Sequence, residues 1–175
     1  MNKLKIVLVL ILTLAISKGY SQKIMTGLEV LKASNFKVLE GKRVGLITNP
    51  TGFDNNIKST IDILHEAPNV NLVALYGPEH GVRGDVHAGD HVETTNDPKT
   101  GLPVYSLYGA TRKATPEMLK GIDVLVYDIQ DIGSRSFTYI STMGFAMEAA
   151  AENNIEFVVL DRPNPLGGEK VEGSF

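Results

Sequence analysis

The chain has 175 residues, 43% of them hydrophobic and 21% charged, with a formal net charge of −3. This is ordinary globular composition, and the length allows one domain with a proper core. There is no cysteine, which excludes disulfides, thiolate chemistry, cysteine metal sites and the lipid-anchored cysteine of a bacterial lipoprotein.

Lys3 and Lys5 precede an apolar run from Ile6 to Ile16, with Gly19 and Ser21 as small residues before a cut. The pattern predicts a secretory signal peptide over residues 1–21, too short for a good membrane span. The mature domain is then 22–175. Cleavage removes three lysines and no acid, taking the charge from −3 to −6. That balance argues against nucleic acid as a partner. Export without disulfides suits a bacterial periplasm or exterior, with no stable membrane anchor.

Within the mature chain, Thr26 to Lys37 reads as a helix with apolar residues at Leu28, Leu31 and Phe36. Val44 to Ile47 is the first strand, led in by Lys42 and Arg43 and ended by the polar turn Thr48-Asn49-Pro50-Thr51-Gly52. Asn56 to Glu66 has Ile57, Ile61 and Leu64 at helical spacing, with Pro68 beyond its end. Asn71 to Tyr76 is a strand ending in Gly77-Pro78-Glu79-His80-Gly81, and a long loop runs to Gly101. Val104 to Leu107 is a third strand, and Thr115 caps a small helix opened by Pro116.

Val124 to Val126 is a β-branched run suited to a strand buried on both faces. It stops at a dense polar cluster of Asp128, Gln130, Asp131, Ser134 and Arg135, with Tyr139 just after. Ser134 or Ser136 is positioned to cap the helix that follows. That helix, Phe137 to Asn153, has apolar residues on two faces and is expected to be well buried. Glu156 to Leu160 is the last strand, ending in Asp161-Arg162-Pro163-Asn164-Pro165.

Alternation of strands and helices predicts an α/β fold: a Rossmann-like parallel sheet flanked by helices in three layers, with right-handed crossovers. No G-x-G-x-x-G follows the first strand, so no nicotinamide or flavin cofactor is expected. The P-loop pattern is absent as well.

In such a sheet the carboxyl ends of the strands share one edge, where ligands bind. Four of five strand ends carry polar clusters: Asn49 with Thr51, Glu79 with His80 and Arg83, Asp128 with Asp131 and Arg135, and Asp161 with Arg162 and Asn164. Each alone is ordinary turn chemistry; together they predict a site. Glu79 stands between Pro78 and His80 with glycines either side, a rigid and approachable backbone for a general acid. The bland alternative pairs Glu79 with Arg83, four residues on. His80, His87 and His91 with Asp85 and Asp90 have metal-ligand chemistry but match no ligand spacing, so no metal is assigned. Ser134 and Ser136 lack a G-x-S-x-G elbow, which argues against a serine hydrolase.

The blocks Gly77-Pro78-Glu79-His80-Gly81-Val82-Arg83-Gly84, Val126 through Arg135, Phe137-Thr138-Tyr139, and Leu160 through Pro165 with Gly167-Gly168 resemble the NamZ-type exo-β-N-acetylmuramidases. The resemblance runs from about Gly27 to Gly173. It implies an exported glycoside hydrolase that releases N-acetylmuramic acid from the non-reducing end of peptidoglycan fragments. It also implies a Rossmann-like amino-terminal domain, a smaller carboxy-terminal domain absent from this chain, and a site between them. The family's leading catalytic glutamate falls on Glu79, and Asp128 and Asp131 are candidates for the second carboxylate.

The residue chemistry agrees with that expectation. Glycosidases work with two carboxylates. The lactyl carboxylate of muramic acid suits the planar guanidiniums of Arg83, Arg135 and Arg162. Tyr139 or His80 is placed to stack on or hydrogen-bond the sugar. Two rival readings are a non-catalytic periplasmic sugar- or muropeptide-binding module, and a metal-dependent hydrolase built on the histidine loop.

Overall fold

The structure, a computed structural model, describes residues 24–84 and 95–173. The expected leader and the loop residues Asp85, His87, Asp90 and His91 lie outside the described residues.

Helix α1 spans Gly27–Ala33. Thr26 starts it through a capping box. Its hydroxyl accepts from the Glu29 backbone N–H, and the Glu29 carboxylate accepts from the Thr26 N–H at 2.9 Å. Two otherwise unpaired donors are satisfied this way. Asn35 and Phe36 then adopt left-handed backbone (φ 51° and 58°), so the helix ends before the expected Lys37, and a 3₁₀ turn follows at Lys37–Leu39.

The remaining elements are β1 (Arg43–Thr48), α2 (Thr60–Glu66), β2 (Asn71–Gly77), β3 (Thr95–Asn96), β4 (Pro103–Ser106), β5 (Val124–Asp128), α3 (Tyr139–Glu152) and β6 (Glu156–Val159). They form one sheet in the order β3-β4-β2-β1-β5-β6. Pairing is parallel except between β3 and β4, which are antiparallel. The sheet is therefore mixed rather than wholly parallel, because the loop after β2 sends a two-residue strand back along the edge. Strand order reverses between β1 and β5, the kind of switch point at which open α/β sheets leave a crevice.

Helices cover both faces. On one, Leu28, Leu31, Ile61 and Leu64 pack on Val44, Leu46, Leu75, Val124 and Val126. On the other, Ala146, Ala149 and Ala150 of α3, with Leu119 and Ile122, pack on Ile47, Tyr76, Leu125 and Tyr127. The three-layer α/β architecture read from the sequence is the one present, and β5 is buried along its whole length.

Four local expectations give way. Helix α2 begins at Thr60, not Asn56. Ahead of it Asp54 Oδ1 accepts from the N–H groups of Asn56 and Lys58, a turn that puts Ile57 at φ 62° and 82% exposed. Thr115 caps only a turn, its hydroxyl accepting from the Met118 N–H at 3.4 Å. Helix α3 begins after Thr138, which makes no side-chain cap bond, so neither Ser134 nor Ser136 is its cap. Nor is α3 well buried: Thr142, Ala146, Ala149 and Ala150 face the sheet, while Ile140, Phe145 and Met147 are exposed.

Candidate active site

The strand ends are tied together before any ligand is considered. The Thr48 hydroxyl donates to the Asp128 carbonyl at 2.8 Å. Asn49 Oδ1 accepts from the Thr51 N–H (3.0 Å) and hydroxyl (2.6 Å), and that hydroxyl accepts from the Gln130 N–H at 2.9 Å. The turn of β1 is thus laced to that of β5. Gly52 is required here, because a Cβ would lie 2.2 Å from the Thr48 hydroxyl.

Glu79 stands at the end of β2, half-buried. Its turn closes with Gly81 N–H donating to the Pro78 carbonyl at 3.0 Å, and places His80 at φ 73°. A bulky residue in left-handed backbone stores strain, a feature that gathers at functional sites. The Glu79 carboxylate lies close enough to Tyr108 to be the leading reason its hydroxyl is pushed above the usual phenol range.

Arg83 does not pair with Glu79 but turns inward. It binds the buried Asp97 through Nε and Nη2 and reaches Asp62 of α2 at 3.2 Å. The guanidinium holds the Asp97 carboxyl well below the usual carboxylate range. Arg83 is a clamp between α2 and the turn before β4.

Asp128 is equally internal, with no exposed surface. Arg162 grips it bidentately, Nε to Oδ1 at 2.7 Å and Nη2 to Oδ2 at 3.0 Å, and the Thr60 hydroxyl donates to Oδ2. Arg162 also donates to the Phe53 carbonyl at 3.0 Å and lies 5.9 Å from the centre of the Phe53 ring. These contacts pin the turn after β6 to β5 and α2.

Asp131 differs. Its Oδ1 accepts from the Gly133 N–H at 2.7 Å, while Oδ2 is buried with no hydrogen-bond partner among the described residues. An orphaned carboxylate oxygen is costly. It lines a cavity of about 250 Å³ with Tyr127, Asp161, Arg162 and Asn164. Asn164 meets Gly133 so closely that a Cβ there would sit 2.5 Å from Asn164 Oδ1. Asp161 is exposed, and its carbonyl accepts from the Gly27 N–H at 2.7 Å. Arg135 is exposed on the same β5–α3 loop. Tyr139 opens α3, its carbonyl receiving the Tyr127 hydroxyl at 2.9 Å.

The predicted residues therefore fall into separate groups. Asn49, Thr51 and Gln130 lace β1 to β5. Asp131, Asp161, Arg162 and Asn164 share one cavity. Glu79 and His80 stand two strands away, roughly 10 Å at the usual strand spacing, and Arg83 faces the interior. Sequence reasoning missed Tyr108 and Arg112, which follow β4, the one strand end where no polar cluster was read. The available signal was Ser106-Leu107-Tyr108-Gly109, a polar turn immediately past a strand. Among the described residues no group of three or more His, Asp or Glu is placed to hold a metal.

A sequence model described as "Exo-beta-N-acetylmuramidase NamZ, N-terminal" matches residues 44–175. The chain is 60% identical over 151 residues to the peptidoglycan beta-N-acetylmuramidase NamZ of Bacillus subtilis (strain 168), covering 86% of this chain and 36% of that protein. Crystal structures of two DUF1343 family proteins from Bacteroides fragilis NCTC 9343 are similar. One has a TM-score of 0.79 at 82% identity, covering 85% of this chain and 37% of the other. The second has a TM-score of 0.68 at 40% identity, covering 82% and 36%. The chain spans a little over a third of the length of these relatives. With the match running through every strand of the sheet except the first residue of β1, the chain belongs to the amino-terminal domain family of the NamZ exo-β-N-acetylmuramidases.

Proposed function

We propose that this domain carries the catalytic acid of an exo-acting β-N-acetylmuramidase. The carrying observation is Glu79: a half-buried carboxyl group at the β2 end, close to Tyr108 and held by a strained turn. In this reading Glu79 donates its proton to the glycosidic oxygen as the anomeric C–O bond breaks, and water adds at the anomeric carbon with loss of a proton to a carboxylate. Asp131, with its unpartnered oxygen, is the better candidate for that second carboxylate. Asp128 has both oxygens engaged inside the protein. Substrates are muropeptides or disaccharides from peptidoglycan, with an arginine holding the lactyl carboxylate. A smaller second domain closes the cleft; the exposed Val159 and Leu166 beside the β6 edge support its packing there.

The test is hydrolysis of a chromogenic β-N-acetylmuraminide by the entire polypeptide its gene encodes. Release of the chromophore together with free N-acetylmuramic acid is expected. Binding of the sugar without turnover by the entire polypeptide would favour the non-catalytic binding module instead.

Export forms part of the same reading. The mature protein is expected to begin near Gln22 and to be recovered from a periplasmic or extracellular fraction. Amino-terminal sequencing that returns an intact Met1 in a membrane fraction would refute this.

A further inference from the structure

Beyond the end of β4 the chain folds back on itself. The Tyr108 N–H donates to Ser106 Oγ at 3.2 Å, and the Leu107 N–H donates to the Gly77 carbonyl at 2.8 Å. These bonds fix Tyr108 beside the turn that carries Glu79. On the α3 side of Tyr108 lies a cavity of about 200 Å³, lined also by Leu107, Arg112, Thr138, Ser141 and Phe145. It is smaller than the roughly 300–1,000 Å³ of a complete small-molecule pocket. A substituent of a sugar fits it, not the whole ring.

The lining has two characters. Arg112 presents a planar fork for an anion, and Thr138 and Ser141 add hydroxyls. Leu107 and Phe145 supply an apolar wall. Arg112 is exposed, and among the described residues it has no carboxylate partner. Arg83 and Arg162 each hold a buried carboxylate. Arg112 is near enough to Tyr108 for its charge to oppose the upward shift caused by Glu79. One cavity thus combines an anion fork, an apolar wall and, in Tyr108, a neighbour of Glu79.

We propose that this cavity receives the lactyl ether of a muramyl sugar, with Arg112 taking its carboxylate bidentately and Phe145 facing its methyl group. The assignment rests on the muramidase reading, and it makes Arg112 a specificity residue for the sugar beside Glu79.

The experiment compares binding of N-acetylmuramic acid and N-acetylglucosamine by titration calorimetry, and kcat and KM on a chromogenic muraminide, in the entire encoded polypeptide. Arg112→Ala should weaken N-acetylmuramic acid binding by about 10- to 100-fold, the range for a charge-assisted bond. N-acetylglucosamine, which has no carboxylate, should bind as before. KM should rise with kcat much less affected, the signature of lost ground-state recognition. Arg112→Lys keeps the charge but not the fork, and should fall between. Because Arg112 is exposed, both variants should melt with the wild type. Retained preference for the muramyl sugar in Arg112→Ala overturns the assignment. Loss of that preference in Arg135→Ala instead moves the carboxylate site to the β5–α3 loop and also overturns it. A wild-type protein that neither binds nor cleaves muramyl sugars would bring down the muramidase reading itself, a result distinct from either variant outcome.

Discussion

Glu79→Gln is expected to lower turnover by about 10²–10⁴-fold, the range for loss of a general acid, on a muraminide with a poor leaving group. The amide matches the carboxyl in shape, and the turn at Pro78–Gly81 is closed by its own backbone bond, so it should persist. The transferable proton is what disappears. Binding of N-acetylmuramic acid should change little, since the lactyl group is assigned to Arg112 rather than to the acid. A spectroscopic control is built into the site. The Glu79 carboxylate is the main cause of the raised Tyr108 titration, so in Glu79→Gln that phenol should titrate closer to its ordinary range. A substrate with an activated leaving group should recover much of the rate, because its departure needs less protonation. Near-normal turnover on the poor leaving group would remove Glu79 from the mechanism and turn attention to Asp131.

The fold was legible wherever local chemistry and packing agreed. Val124 to Val126 announced a strand covered on both faces, and it is one. The antiparallel β3 was not legible, because two exposed residues carry no periodic pattern. Ile57 misled for a different reason. It lies at helical spacing from Ile61, but Asp54 takes the backbone N–H groups that a helix would use. Helix α3 shows how far burial can be overread: apolar residues on two faces do not say that both are covered by this chain.

At the site, Glu79 stood out because rigid and permissive backbone flank a single acid. The arginines did not sort themselves. A guanidinium at a strand end looks the same in sequence whether it faces a ligand or the interior. The partners that decide the matter for Arg83 are Asp62 and Asp97, 21 and 14 residues away. For Arg162 the partner is Asp128, 34 residues away. Tyr108 and Arg112 were hidden by the same non-locality, since only the sheet order puts β4's end beside β2's.

Asp128→Ala is expected to destabilise the domain by about 3–5 kcal/mol, the cost of breaking a buried ion pair by removing one partner. The reason lies mostly in what remains. Arg162, its side chain only 7% exposed, would keep the Phe53 carbonyl and ring but lose both carboxylate bonds, and the Thr60 hydroxyl would lose its acceptor. An exposed pair offers the contrast: Glu66→Ala removes a partner from Lys58 where both side chains are about half exposed, and should shift the unfolding midpoint far less. Urea denaturation of the chain measures both. Replacing both members, Asp128→Leu with Arg162→Met, should recover part of the loss, because no charge is then left buried; the double-mutant cycle isolates the coupling. The same series separates structure from chemistry. Asp128→Asn keeps the shape and an acceptor for Thr60, so it should be less destabilised than Asp128→Ala. If Asp128 serves only to pin the turn after β6, turnover in these variants should follow the folded fraction. An Asp128→Asn protein that is fully folded under assay conditions yet loses turnover as severely as Glu79→Gln would place Asp128 in the chemistry, and an Asp128→Ala protein that unfolds at the wild-type urea concentration would remove its role as an internal clamp.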